Sequence, residues 1–127
     1  MCGSRGGPGL TEVFKVVGYL NALGLSTSCA LVTDGKISGF AKGPFICQVS
    51  PEASLGGPLA MVRDGDLIKV DIPGRRLDLL VPPQELEVRR LAWRRPTPRV
   101  RKGLLSLYAR LGEPPERGGG LPVRFEG

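Results

Sequence analysis

Apolar residues recur at Leu10, Val13, Phe14, Val17, Leu20 and Leu23, a one-sided spacing that predicts a helix with one face on a core and a stop at Gly24. Cys29 to Thr33 is a short apolar run suited to a buried strand, closed by Asp34-Gly35, and Phe45 to Val49 reads as a second strand. Ser50-Pro51-Glu52-Ala53 opens a turn, and Gly56-Gly57-Pro58 leads into the apolar run Leu59 to Val62. After a turn at Arg63 to Asp66, Leu67 to Ile72 alternates apolar and polar over most of its length, as a half-buried strand does. Leu77 to Val81 returns as the other arm of a hairpin, with Pro73 and Gly74 at the second and third positions of a type II turn. Pro83 begins a helix that carries Glu85 and Glu87 near its positive end. Leu104 to Leu111 predicts a last short helix stopped by Gly112 and Pro114, and residues 113–127 read as a loose tail.

These elements lack the regular strand–helix alternation of a doubly wound sheet. They predict one mixed α+β domain over residues 1–127, a compact barrel-like or sandwich-like sheet with helices at both ends. A length of 127 residues suits one domain, and an apolar fraction of 41% supports a modest core and argues against wholesale disorder. The 19 glycines and 12 prolines fit many turns between short elements. The longest apolar runs are only a few residues, too short for a membrane-spanning helix. The start, Met-Cys-Gly-Ser-Arg-Gly-Gly-Pro, has no apolar signal-peptide region, so the expectation is a cytoplasmic protein.

The chain has 3 cysteines, Cys2, Cys29 and Cys47, far apart and without a Cys-x-x-Cys spacing, and it has no histidine. That disfavours a zinc site and removes the Ser-His-Asp and Cys-His routes to a nucleophile. No metal ligand is assigned to this chain. The net charge of +6 is concentrated in Arg89, Arg90, Arg94, Arg95, Arg99, Arg101 and Lys102. We read this stretch as a solvated helix face or a protein interface rather than a nucleic-acid contact, because Trp93 is its only stacking aromatic.

The segment with most chemical promise is Asp34-Gly-Lys-Ile-Ser-Gly-Phe-Ala-Lys-Gly43. Its glycines allow sharp turns that bring backbone N–H groups to a ligand. Ser38 projects between Ile37 and Gly39, and Lys36 and Lys42 add positive charge. The segment is therefore a candidate ligand site, with Ser38 facing a cleft and Lys36, Gly39 and Lys42 as binding residues.

Taken together and in order, Gly3-Ser-Arg-Gly-Gly-Pro-Gly9, Ala30-Leu-Val-Thr-Asp-Gly-Lys-Ile-Ser-Gly39, Val49-Ser-Pro-Glu-Ala53, Gly56-Gly-Pro-Leu-Ala60 and Val62-Arg-Asp-Gly-Asp-Leu-Ile68 resemble the C-terminal domain of the dihydroxy-acid dehydratase and phosphogluconate dehydratase family. Arg75-Arg-Leu-Asp-Leu-Leu-Val81 and Lys102-Gly-Leu-Leu-Ser-Leu-Tyr-Ala109 extend the likeness, which covers the chain from about Gly3 to Leu121. The resemblance implies a swivelling β/β/α fold that closes over an active site. It also implies a larger N-terminal part or partner subunit holding an iron–sulfur cluster and, in many members, magnesium. The implied reaction is the dehydration of a 2,3-dihydroxy acid or sugar acid to a 2-keto acid, with Ser38 at the position of the family's base. On this reading the chain is a domain or small subunit inactive without its cluster-bearing partner. Where the family commonly has a metal-binding glutamate, this chain has Cys2, and where many members have histidine before Val-Ser-Pro-Glu-Ala it has Gln48. The alternative is thus a non-catalytic module that binds a small acid or another protein. Self-association is compatible with either reading, and the segment from Phe40 to Pro44 departs from the family pattern where substrate choice would be made.

Overall fold

The computed structural model describes residues 1–39 and 41–122. The first helix, α1, spans Phe14–Ala22. It starts later than the apolar stripe suggests. Leu10 has a left-handed φ of 67°, and Glu12 forms a parallel bridge with Lys36. The Val13 N–H donates to the Lys36 carbonyl at 3.0 Å, and the Lys36 N–H donates to the Thr11 carbonyl at 3.1 Å. These long-range bonds take the backbone groups that another helical turn would use. At the far end Gly24 has φ 69°, its N–H donates to the Asn21 carbonyl, and the Leu25 N–H donates to the Leu20 carbonyl. This Schellman pairing satisfies the last carbonyls and needs a residue that tolerates the left-handed region.

Strands β1, Leu31–Val32, and β2, Phe45–Ile46, form a parallel pair. Strands β3, Ile68–Asp71, and β4, Arg76–Leu79, form an antiparallel hairpin in which Ile68 faces Leu79 and Asp71 faces Arg76. Among the described residues these are two separate two-stranded sheets, so the sheet is not a closed barrel; the mixed α+β class holds. The sheets approach across an apolar cavity of about 130 Å³ lined by Val32, Val49, Val62, Ile68, Leu77 and Leu79. The hairpin turn also differs from expectation. Pro73 and Gly74 do occupy its centre and the Arg75 N–H donates to the Ile72 carbonyl at 3.1 Å, but the positive φ, 52°, falls on Arg75 and not on Gly74. A type II turn needs it at the third position. Here the Gly74 N–H is held by the Asp71 carboxylate at 2.8 Å.

Residues 53–55 and 58–60 are 3-10 turns. Helix α2, Pro83–Ala92, has proline in its first turn, and helix α3, Leu104–Leu111, matches its apolar run. Beyond α3, Pro115–Arg117 forms a 3-10 turn and the Glu113 N–H donates to the Gly120 carbonyl at 2.8 Å. The Ser50 hydroxyl donates to Glu116, holding its carboxyl below the usual carboxylate range. The rest of the segment read as a tail, 123–127, lies outside the described residues. No helix of the described residues is long and apolar enough to cross a membrane.

Two buried carboxylates bind the N-terminal loop to the middle of the chain. Glu52 is 0% exposed. It accepts from the Ser4 hydroxyl at 3.1 Å, the Arg5 N–H at 3.1 Å, the Gly6 N–H at 2.9 Å and the Ser54 hydroxyl. Asp34 accepts from the Cys2 N–H at 2.8 Å with one oxygen and from the Ala53 N–H at 3.0 Å with the other. A carboxylate without water is tolerated only when its lone pairs are filled in this way. The fit leaves no spare room: a Cβ on Gly3 would lie 2.3 Å from Glu52 Oε2. A second polar tie joins α2 to the turn before β3. Arg89 donates to the Met61 carbonyl at 2.8 Å, to both oxygens of Asp66 and to Glu85.

The apolar core is small by contrast. Among the described residues only Val17, Ala53, Met61 and Ala109 are buried apolar side chains. The accessible surface is 9008 Å², whereas a compact monomer of 13.6 kDa has about 6,600 Å². Tyr19 on α1, Leu23 just past its end, Leu67 and Ile72 beside the hairpin, and Leu91 on α2 stand well out of the surface.

Two outcomes follow for stability. Gly3→Ala drives a methyl group into the Glu52 carboxylate, and chemical denaturation is expected to show a loss of about 1–3 kcal/mol, the range for overpacking. The Arg89 guanidinium and the Arg63 N–H hold the Asp66 carboxyl at about 2, below its ordinary 3.8. Because the folded value is the lower one, this contribution is complete above 3.8 and is lost as pH falls through about 2. Urea midpoints measured over that window should fall more steeply for the native chain than for Asp66→Asn.

Candidate active site

The segment after β1 turns sharply at Thr33-Asp34-Gly35. The Gly35 N–H donates to the Thr33 hydroxyl at 3.0 Å, and the Gln48 N–H donates to the Gly35 carbonyl at 2.8 Å. Gly35 is also where Cys2 packs: a Cβ there would lie 2.7 Å from the Cys2 Cβ and 2.7 Å from the Thr11 carbonyl. The buried Asp34 below fixes this turn against the N-terminal loop, and the bridge between Glu12 and Lys36 carries the chain out to Ser38.

Ser38 is exposed, and its hydroxyl donates to Glu12 Oε1. The other oxygen of Glu12 lies 3.9 Å from Lys36 Nζ. A hydroxyl, a carboxylate and an ammonium therefore meet at the entrance of α1. Ser38 also lines a cavity of about 120 Å³ together with Phe14, Val17, Asn21, Gly39 and Ala41. Asn21 Oδ1 is buried there and has no hydrogen-bond partner among the described residues. A buried acceptor left unpaired is uncommon. Gly39 has φ 82°, in the left-handed region that glycine adopts without strain.

Of the residues singled out from the sequence, Ser38, Lys36 and Gly39 are brought together here. Lys42 is exposed, does not line the cavity and makes no ion pair among the described residues. Phe40, in the segment tied to substrate choice, lies outside the described residues. Glu12 and Asn21 were not apparent from the pattern. Glu12 sits inside what reads as helix stripe, and its role depends on the bridge to Lys36. Asn21 occupies an ordinary helical position, and only the packing shows its oxygen stranded.

The three thiols do not form a cluster site. Cys2, Cys29 and Cys47 are separate and partly buried, and among the described residues no three histidine, cysteine or acidic side chains converge on a metal-sized space. Holding an iron–sulfur cluster takes several converging thiolates. These residues do not fit one.

Comparison with known proteins gives a consistent result. The family described as "Dihydroxy-acid/6-phosphogluconate dehydratase C-terminal" matches residues 1–119. Dihydroxy-acid dehydratases of Methanothrix thermoacetophila and Ignicoccus hospitalis are each 50% identical over 119 residues, 94% of this chain and 22% of the relative. That of Syntrophotalea carbinolica is 51% identical over 107 residues, 84% of this chain and 19% of the relative. The chain thus spans about a fifth of the length of the curated relatives it matches, 22% for the first two.

Proposed function

This chain belongs to the dihydroxy-acid/6-phosphogluconate dehydratase C-terminal family, and we propose that it supplies the Ser38 half of a hydro-lyase active site, removing a proton next to the carboxylate of a 2,3-dihydroxy acid or sugar acid. The reading is carried by one observation: Ser38, which lines a cavity beside α1, donates to Glu12, and Glu12 also faces Lys36. Ser38 Oγ is the atom that receives the C2 proton, and Glu12, which already accepts the Ser38 hydroxyl, is the group that draws the hydroxyl proton away. Lys36, with Glu12 against it, offsets negative charge at the same spot. Loss of the C2 proton and the C3 hydroxide, together one water, leaves an enol that becomes the 2-keto acid.

The departing hydroxide needs an electrophile, and among the described residues no group of side chains converges to hold a metal ion for that role. In the reading offered here, the cluster-bearing larger part of a dehydratase, on the same polypeptide or as a partner subunit, provides it. Two facts support such a partner. The matched relatives are far longer, this chain covering 22% of the first two, and the surface of 9008 Å² exceeds that of a compact monomer by about 2,400 Å². Phe14 on α1 is exposed and also lines the Ser38 cavity, so a partner that covers it would also close the site.

A second reading, a module that binds a small acid or a protein without turnover, is favoured by Cys2. Its backbone N–H is locked onto Asp34, and a thiol stands where the resemblance places a metal-binding carboxylate.

The test joins this chain to the cluster-bearing part of a related dehydratase and follows 2-keto acid formation from dihydroxy and sugar acids. Turnover is expected only with both parts present. Ser38→Ala should lower kcat by at least ~100-fold, in the range for loss of a general base. Turnover indifferent to Ser38→Ala would overturn the assignment of the base. Binding of a sugar acid by calorimetry with no turnover in the joined protein would favour the second reading.

A further inference from the structure

A second cavity, remote in chemistry from the Ser38 site, lies between the N-terminal loop and the connector that joins α2 to α3. Its volume is about 160 Å³, and Arg5, Ser54, Arg95, Thr97, Arg99 and Ala109 are among the residues that line it. Three guanidinium groups therefore border one small space, and no carboxylate lines it. A shallower depression continues from it past Pro96 and Pro98 to Arg110. Glu52, bonded to the lining residues Arg5, Gly6 and Ser54 and to Ser4, is fully buried. Three arginines and no lining carboxylate leave the wall of the cavity positive.

Arg5 is anchored, whereas Arg95 and Arg99 are exposed. The Arg5 backbone N–H is bound to Glu52, and its side-chain Nε donates to the Gly112 carbonyl at 2.8 Å. That side chain is pinned at both ends, yet its terminal nitrogens have no hydrogen-bond partner among the described residues. Arg95 and Arg99 form no ion pair among the described residues either. Pro96 and Pro98 stand between them, and proline's fixed φ restrains the connector that carries both. Holding like charges around a confined space is unfavourable unless an anion fills it, and a guanidinium presents paired donors that match an oxyanion's edge.

We propose that this cavity is a binding site for a small multivalent oxyanion, a phosphate group or a polycarboxylate, recognised by Arg5, Arg95 and Arg99. The cavity is large enough for such an ion with a few waters. It does not suit a nucleic-acid strand. Trp93, the aromatic residue of the basic stretch, packs against Gly56 and does not line the space, so no stacking surface is offered. The proposal does not depend on the reaction assigned to Ser38.

The experiment is calorimetric titration of inorganic phosphate into the full 127-residue chain at low ionic strength, with citrate as competitor. Saturable one-site binding is expected. Arg99→Gln, at an exposed position, should weaken it at least fivefold, and Arg5→Gln more strongly, with circular dichroism checking that the latter stays folded. Arg75→Gln, on the hairpin turn, should leave it unchanged. Competition by citrate shows the site reads multivalent charge, and the tighter of the two ligands identifies phosphate or polycarboxylate chemistry. Non-saturating heats, equal weakening by Arg75→Gln, or no effect of Arg99→Gln would overturn the proposal. So would a short RNA that binds with the same arginine dependence while phosphate does not.

Discussion

Glu52 carries a formal charge in a place water does not reach, and the first half of the chain is arranged around satisfying it. Its acceptor sites are filled from the glycine-rich loop on one side and from Ser54 on the other. Removing any of these donors leaves part of a buried charge unpaired, and such loss costs about 1.5–3 kcal/mol per hydrogen bond to a charged group. Asp34 repeats the device one step nearer the site, joining Cys2 to Ala53. Because Asp34 belongs to the turn that leads to Lys36 and Ser38, the geometry at the cavity mouth rests on these carboxylates more than on apolar packing. That division of labour suits a domain whose buried apolar side chains, among the described residues, number only Val17, Ala53, Met61 and Ala109.

The same economy explains the surface. Polar ties such as Glu52 and the Arg89–Asp66 pair hold a fold together without enclosing much apolar area. The helix faces that would otherwise be core then remain exposed, as Tyr19 on α1 and Leu23 just past its end do. A domain of this kind is expected to complete its core against another body, which is consistent with relatives several times its length.

Much of the local structure was legible in the sequence, and the reasons are local. Leu104 to Leu111 has helical spacing and a glycine stop, and it forms α3 with those bounds. Gly24 ends α1 by the left-handed conformation that glycine supplies. The misreadings occur where distant segments intervene. The stripe from Leu10 reads as helix, yet the bridge between Glu12 and Lys36 diverts its first residues. Pro73-Gly74 has the composition of a type II turn, but Asp71 claims the Gly74 N–H and Arg75 takes the left-handed φ. The candidate site divides in the same way. Ser38 and Lys36 stand out by their glycine-rich setting, whereas Glu12 and Asn21 acquire meaning only when folding sets them beside Ser38. Glu52 reads as part of a turn, and nothing in its neighbours announces that it is wholly buried.

The central claim is that this domain carries half a site, and that the other half covers the face around Ser38. Hydrogen–deuterium exchange of the chain alone and joined to a cluster-bearing dehydratase part addresses it directly. The account predicts new protection in the joined protein at two places, the exposed face of α1 from Phe14 to Ala22 and the segment from Lys36 to Gly39. Unchanged exchange at both, with protection appearing elsewhere or nowhere, would contradict it.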